Sequence, residues 1–158
     1  MSPQHPRESL RRKHASRMAA VQALYSYAIS EGKPSAEKLF NQLVMQWGES
    51  AGKDAEWPAD DKPEQALLRD IIEGALSHVS EIDATLGGVI KENWKSERMD
   101  PVLIALLRCA VYELAYKPER KVAVIIDEYT TIASGYFEGN ELGFIHSALQ
   151  QLIPILRD

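Results

Sequence analysis

Apolar residues recur at steps of three and four along almost the whole chain, the spacing of one helix face and not the alternation of a strand. In the first segment Met18, Val21, Tyr25, Ala28 and Ile29 share such a face, and Gly32 with Pro34 close it. Ser35 is placed to cap a second helix, whose stripe is Leu39, Phe40, Leu43, Val44 and Trp47, followed by Gly48. Residues 48–63, GESAGKDAEWPADDKP, show no period and read as a long surface connection with Trp57 as its anchor to the core. Leu67, Leu68, Ile71, Ile72, Ala75, Leu76 and Val79 resume the helical pattern. Ile82, Leu86, Val89 and Ile90 extend it, as one bent helix or as two.

Asp100-Pro101 is a helix start, with Asp as N-cap and Pro at the first helical position. The stripe behind it, Val102 to Leu114, is the most apolar of the chain and predicts the central helix. Cys109 falls within it and reads as a small core residue. Val122 to Ile126 resembles a strand in isolation, but Tyr129, Ile132, Ala133 and Tyr136 continue it at helical spacing and no second strand is there to pair with it. A loop, GYFEGNELG, separates this helix from a last one carrying Phe144, Ile145, Ala148, Leu149 and Leu152, with Pro154 near its end. The pattern predicts an all-α fold, a single compact domain of about six or seven helices.

Length and composition leave that picture intact: 158 residues suit one domain, and 45% hydrophobic residues suffice for one core. No apolar run reaches the ~20 residues of a membrane span, and no signal-peptide h-region follows the N-terminus. The single cysteine allows no intrachain disulfide and fits a reducing compartment, so a cytoplasmic location is expected.

Charge changes the picture. The net charge is −5, yet residues 1–17 carry Arg7, Arg11, Arg12, Lys13 and Arg17 against Glu8 alone, a local +4 that leaves −9 on the rest. Arg7 and Arg11 are four residues apart, as are Lys13 and Arg17. Cations at a helix N-terminus oppose the macrodipole at ~0.3–1 kcal/mol each, and like charges at i, i+4 add to that. Residues 1–16 are therefore expected to be a basic arm that frays in the free chain, joined to a helical domain over 17–158. A polyanion removes both penalties, which is the behaviour of an arginine-rich segment ordering on RNA. Tyr25 and Tyr27 share the helix with the arm, and Tyr136, Phe137 and Phe144 flank the glycine-bearing loop. Exposed aromatics there would stack single-stranded bases at ~1–3 kcal/mol each. Phe144 fits a core anchor of the last helix equally well.

No catalytic constellation is legible. There is no nucleotide-binding fingerprint, and His5, His14, His78 and His146 lie scattered without metal-ligand spacing. Asp127 and Glu128 are adjacent and diverge by about 100° on a helix, so they cannot act as a carboxylate pair. A non-enzyme without cofactor is expected.

The ordered set of motifs resembles the NusB family of transcription antitermination factors. Arg17-Met-Ala-Ala-Val-Gln-Ala-Leu-Tyr-Ser26 carries the resemblance at the N-terminus. Leu68-Arg-Asp-Ile-Ile-Glu-Gly74, Ile82-Asp83, Asp100 to Leu114, Val122 to Glu128 and Phe144 to Leu149 carry it onward. The resemblance implies a helical bundle in two subdomains. It implies binding of boxA-type single-stranded RNA together with NusE, the small-subunit ribosomal protein S10, in support of ribosomal RNA transcription. Other Nus factors and RNA polymerase would be indirect partners, and the chain a monomer or a homodimer. Carried onto this sequence, the RNA contacts are Arg7, Arg11, Arg12, Lys13 and Arg17 with Tyr25, Tyr136 and Phe144. Glu73, Glu81 and Asp83 are the residues expected to meet the basic protein partner.

This chain departs from the family at the last helix, where Phe144-Ile-His-Ser-Ala-Leu149 lacks the usual Asn and Gly. Asn140 stands where an acid is common, and Ile126-Asp127-Glu128 replaces Ile-Asn-Glu. Two other readings stay open, the first of them because of the changed last helix. One is a protein-interaction scaffold that has lost RNA binding. The other is the RNA-binding part of a ribosomal RNA methyltransferase, which requires a catalytic domain beyond residue 158.

Overall fold

The computed structural model describes residues 6–50, 63–91 and 99–157 and contains seven helices among them. They are α1 (Pro6–Ile29), α2 (Ala36–Ser50), α3 (Gln65–Ser77), α4 (Val79–Ile90), α5 (Pro101–Tyr116), α6 (Val122–Ser134) and α7 (Asn140–Leu156). Trp57 and most of the predicted connection lie outside the described residues. The fold class is the one the periodicity predicts.

The caps fall where the sequence places them. Ser35 Oγ accepts from the Lys38 N–H at 3.1 Å, and Asp100 Oδ1 accepts from Val102 N–H at 2.8 Å. The ambiguous stripe over residues 67–90 resolves into two helices that break at His78, whose ring stacks on Tyr116 with centroids 4.0 Å apart. The strand-like Val122 run is the start of α6. The last helix begins at Asn140, earlier than the predicted loop allows, because Gly139 takes φ +61° and turns the chain directly into it. Ile145, not Phe144, is then the buried anchor of α7.

Among the described residues, central α5 touches α1, α3, α4, α6 and α7, while α2 touches α1 and α3. Every residue of α5 from Ala105 to Leu114 is buried. Cys109 is among them, and burial pushes its thiol well above the usual range, consistent with a packing role.

Two packing features differ from the expected pattern. The buried face of α1 is built from Ala15, Ala19, Ala20 and Ala23 with Val21 and Leu24, whereas Tyr25 and Ile29 of the predicted apolar stripe are exposed. Small side chains let α1 lie close against α5, so alanines do the work a leucine stripe would do at a wider spacing. Helix α1 also runs unbroken through residue 16, so the arm drawn at 1–16 has no structural boundary where its described part meets the domain. The helix is one piece because its second half is clamped to the core, which propagates the hydrogen-bond ladder outward.

Helices α3 and α5 approach closely at Gly74. A methyl group there would fall 2.1 Å from the Tyr112 ring. Gly74→Ala is expected to lower stability by about 1–3 kcal/mol through overpacking, seen as a lower denaturation midpoint with unchanged m-value. A midpoint equal to the parent protein's would show that α3 and α5 are not in such close contact.

Candidate nucleic-acid interface

The orientation of α1 is set by a buried polar cluster. Arg17 is only 5% exposed, and its Nε and Nη2 donate to the two carboxylate oxygens of Glu113 at 2.9 Å each. Glu113 is fully buried on α5 and also accepts from Arg120 Nη1 at 3.0 Å and from the Tyr129 hydroxyl. Arg120 Nη2 reaches Asp70 at 2.8 Å, and Asp70 further accepts from the Tyr112 hydroxyl and pairs with Lys117. Burial penalises the charged Arg17 guanidinium, but the Glu113 hydrogen bonds and charge outweigh that and raise its pKa. Burial likewise opposes ionised Asp70, and hydrogen bonds from Tyr112, Lys117 and Arg120 reverse it, holding its carboxyl below the usual range.

Arg17 therefore does not belong with the RNA-facing cations expected from the sequence: it is an internal bond between α1 and α5. The other members differ from it. Arg7, Arg11 and Lys13 are exposed, and Arg12 is half-buried. Along α1, Arg7, Arg11, His14, Met18, Gln22 and Tyr25 succeed one another at steps of three or four and so form one continuous stripe. The root of that stripe is pinned twice. Ser16 Oγ accepts from the Glu64 N–H at 2.7 Å, tying α1 to the start of α3. His14 Nδ1 is 2.7 Å from Glu128 Oε2, tying it to α6.

Beside the stripe, α1 and α6 enclose a groove of about 340 Å³ whose lining includes His14, Met18, Gln22, Thr131, Ile132 and Tyr136. Tyr136 is 46% exposed. Here the structure brings together two parts of the sequence expectation that lie over a hundred residues apart, the basic helix and the aromatic loop. Tyr25 and Phe144 are exposed too, at 36% and 38%, but neither lines this groove. Tyr25 borders a second, 260 Å³ groove between α1 and α2, and Gln22 borders both. Sequence reasoning missed His14, Gln22 and Thr131, although continuing the Arg7–Arg11 step along the helix leads directly to His14 and Gln22.

The acidic residues expected to meet a protein partner also differ among themselves. Glu81 is exposed in the first turn of α4, and Glu73 is exposed and pairs with Arg69 at 3.1 Å. Asp83 is bound by both arms of the Arg108 guanidinium at 3.0 Å, joining α4 to α5, and so serves the fold first. His146 and Asn140 are both exposed.

Among the described residues no group of three or more His, Cys, Asp or Glu side chains is arranged to hold a metal ion, and no helix is long and apolar enough to cross a membrane. The arrangement is that of a small all-helical protein presenting a basic helix face beside an aromatic-edged groove. Comparison with known proteins agrees with it. The NusB family model matches residues 14–154. A transcription antitermination protein NusB from Sphingopyxis alaskensis is 33% identical over 138 residues, covering 87% of this chain and 89% of the relative. The protein of that name from Caulobacter vibrioides is 31% identical over 143 residues, covering 90% and 92%. The solved structure of T. maritima NusB superimposes with a TM-score of 0.68 at 23% identity, covering 96% of this chain and 93% of that one, which shows a shared fold. The chain belongs to the NusB family.

The His14–Glu128 pair makes a pH-dependent prediction. The hydrogen bond to Glu128 raises the His14 pKa above 6.5; partial burial opposes this, the charges of Glu128 and Asp127 add to it, and Arg17 lowers it. A raised folded-state pKa means the pair's contribution is complete below 6.5 and is lost as pH rises through the raised value. Ring titration by NMR should place His14 above 6.5 in the parent protein and closer to 6.5 in Glu128→Gln. Equal values in the two proteins would mean that Glu128 does not hold the imidazole.

Proposed function

We propose that this protein is a non-catalytic transcription antitermination factor of the cytoplasm. It binds boxA-type single-stranded RNA together with NusE, ribosomal protein S10, and through them works with other Nus factors and RNA polymerase on ribosomal RNA operons. One observation carries the reading: the continuous stripe of Arg7 and Arg11 on α1, leading to His14 and the groove edged by Tyr136. Guanidiniums neutralise phosphate and an exposed ring stacks bases, which together are what an unpaired strand offers. The names of the S. alaskensis and C. vibrioides relatives support the same role.

The proposed RNA contacts are Arg7, Arg11, Arg12 and Lys13, with Tyr25, Tyr136 and Phe144 as aromatic platforms. Arg17 acts behind them by fixing the helix. The acidic body repels RNA elsewhere and suits a basic partner such as S10, with Glu81 and Glu73 as its contacts and Asp83 steadying α4 through Arg108.

The test is a titration of short boxA-type RNA into the protein with equimolar S10 at several salt concentrations. Single-strand binding loses ~0.7 log units of affinity per log unit of salt for each phosphate neutralised. Arg11→Ala/Arg12→Ala is expected to weaken binding to every sequence and to flatten the salt dependence by roughly 1–2 units of slope. An unchanged slope, or no preference for boxA over a scrambled strand, would favour a scaffold without RNA binding.

A further inference from the structure

We propose that the groove between α1 and α6 takes one extruded base of the bound RNA, and that Gln22 reads that base's edge. The inference rests on the RNA reading above and adds to it the residue that gives sequence preference. Phosphate contacts position a strand without reading it; sequence is read by hydrogen bonds to base edges. The arginine stripe supplies the first kind of contact only.

The groove has the parts the second kind needs. Its lining includes two apolar side chains, half-buried Met18 and buried Ile132. Exposed Tyr136, also in the lining, offers a stacking face. Gln22 and Thr131 supply polar groups to the lining, and neither side chain is hydrogen-bonded to another described residue. A carboxamide presents one acceptor beside two donors, which matches the adjacent donor and acceptor on the edge of a base. At about 340 Å³ the space lies at the small end of the ~300–1,000 Å³ of ligand pockets, suited to a single ring system and too small for a folded element of a partner.

Charge selects the occupant. The groove lies on the same stripe as Arg7 and Arg11, with Gln22 roughly 16 Å along the helix axis from Arg11. An anionic strand following the arginines passes over the groove, and His14 at its border, with its raised pKa, adds positive charge at acid pH. At that border Glu128 is hydrogen-bonded by His14, while Asp127 adds a second carboxylate charge that acts on the same imidazole.

The experiment measures the affinity of the protein with S10 for a fluorescent boxA-type RNA and for each of its single-base substitutions. For the parent protein, one position is expected to stand out, with substitution costing about tenfold or more. In Gln22→Ala that penalty is expected to shrink to about twofold or less while penalties elsewhere persist; a lost base-edge contact relaxes one position only. Alanine is the best helix former, so the variant keeps α1 intact. Arg11→Ala should weaken the whole panel evenly.

Survival of the full pattern in Gln22→Ala overturns the base-reading role while leaving RNA binding in place, and so does an even loss across the panel. If Gln22→Ala leaves the panel untouched and weakens S10 instead, a protein segment occupies the groove and the inference fails. If the parent protein binds none of the RNAs, the functional reading fails and this inference with it.

Discussion

Glu113 lies fully buried in the central helix, and its charge is tolerable there only because Arg17, Arg120 and Tyr129 surround it. A carboxylate alone in that place would cost several kcal/mol, and removing one partner of such a pair typically costs ~3–5 kcal/mol by leaving the other buried and unpaired. Each partner comes from a different part of the chain: Arg17 from α1, Arg120 from the turn after α5, Tyr129 from α6. Asp70 on α3 joins through Arg120 and the Tyr112 hydroxyl. Apolar packing would hold these helices together in several rotations. The bidentate Arg17–Glu113 pair accepts one, and with it fixes which face of α1 meets water.

That choice of face is what links fold to function. With Arg17 turned inward and the alanines against α5, Arg7, Arg11, Gln22 and Tyr25 are left along the outer stripe. His14 and Ser16 then fasten the root of the stripe to α6 and to the start of α3. If RNA binds there as proposed, a basic helix whose described residues are continuous with a clamped core loses less entropy on binding than a free tail. In the proposed function, the negative charge on the rest of the chain disfavours a polyanion elsewhere on the surface.

The helices were legible in the sequence because their boundaries carry local chemistry. Ser35 and Asp100-Pro101 act within one turn of themselves, and the helical spacing after Val122 outweighs its β-branched start. What was not legible depends on partners distant in the chain. Nothing near Arg17 distinguishes it from Arg11 or Arg12; only Glu113, ninety-six residues away, does. The buried face of α1 was misread because alanine scores as a weak apolar residue, although small side chains are what a close helix crossing needs. Gly74 is likewise explained by Tyr112 alone. Arg157 is a third case: its guanidinium reaches the carbonyl oxygens of Leu114, Lys117 and Arg120 and closes the end of α5, a role invisible from its place near the end of the chain. The exposure of Arg7, Arg11, Lys13 and Tyr136 matches what charge and loop position lead one to expect. The groove was not, since it exists only once α1 and α6 lie side by side.

If RNA lies along one face of α1 and in the groove beside it, amide exchange slows there. Hydrogen–deuterium exchange of the protein with S10, with and without a short boxA-type RNA, addresses this most directly, because S10 is present in both samples and its protection cancels. RNA-dependent slowing is expected in residues 7–22 of α1 and in residues 131–136, with α4 unchanged. Slowing centred on α4, or none in α1, would contradict it.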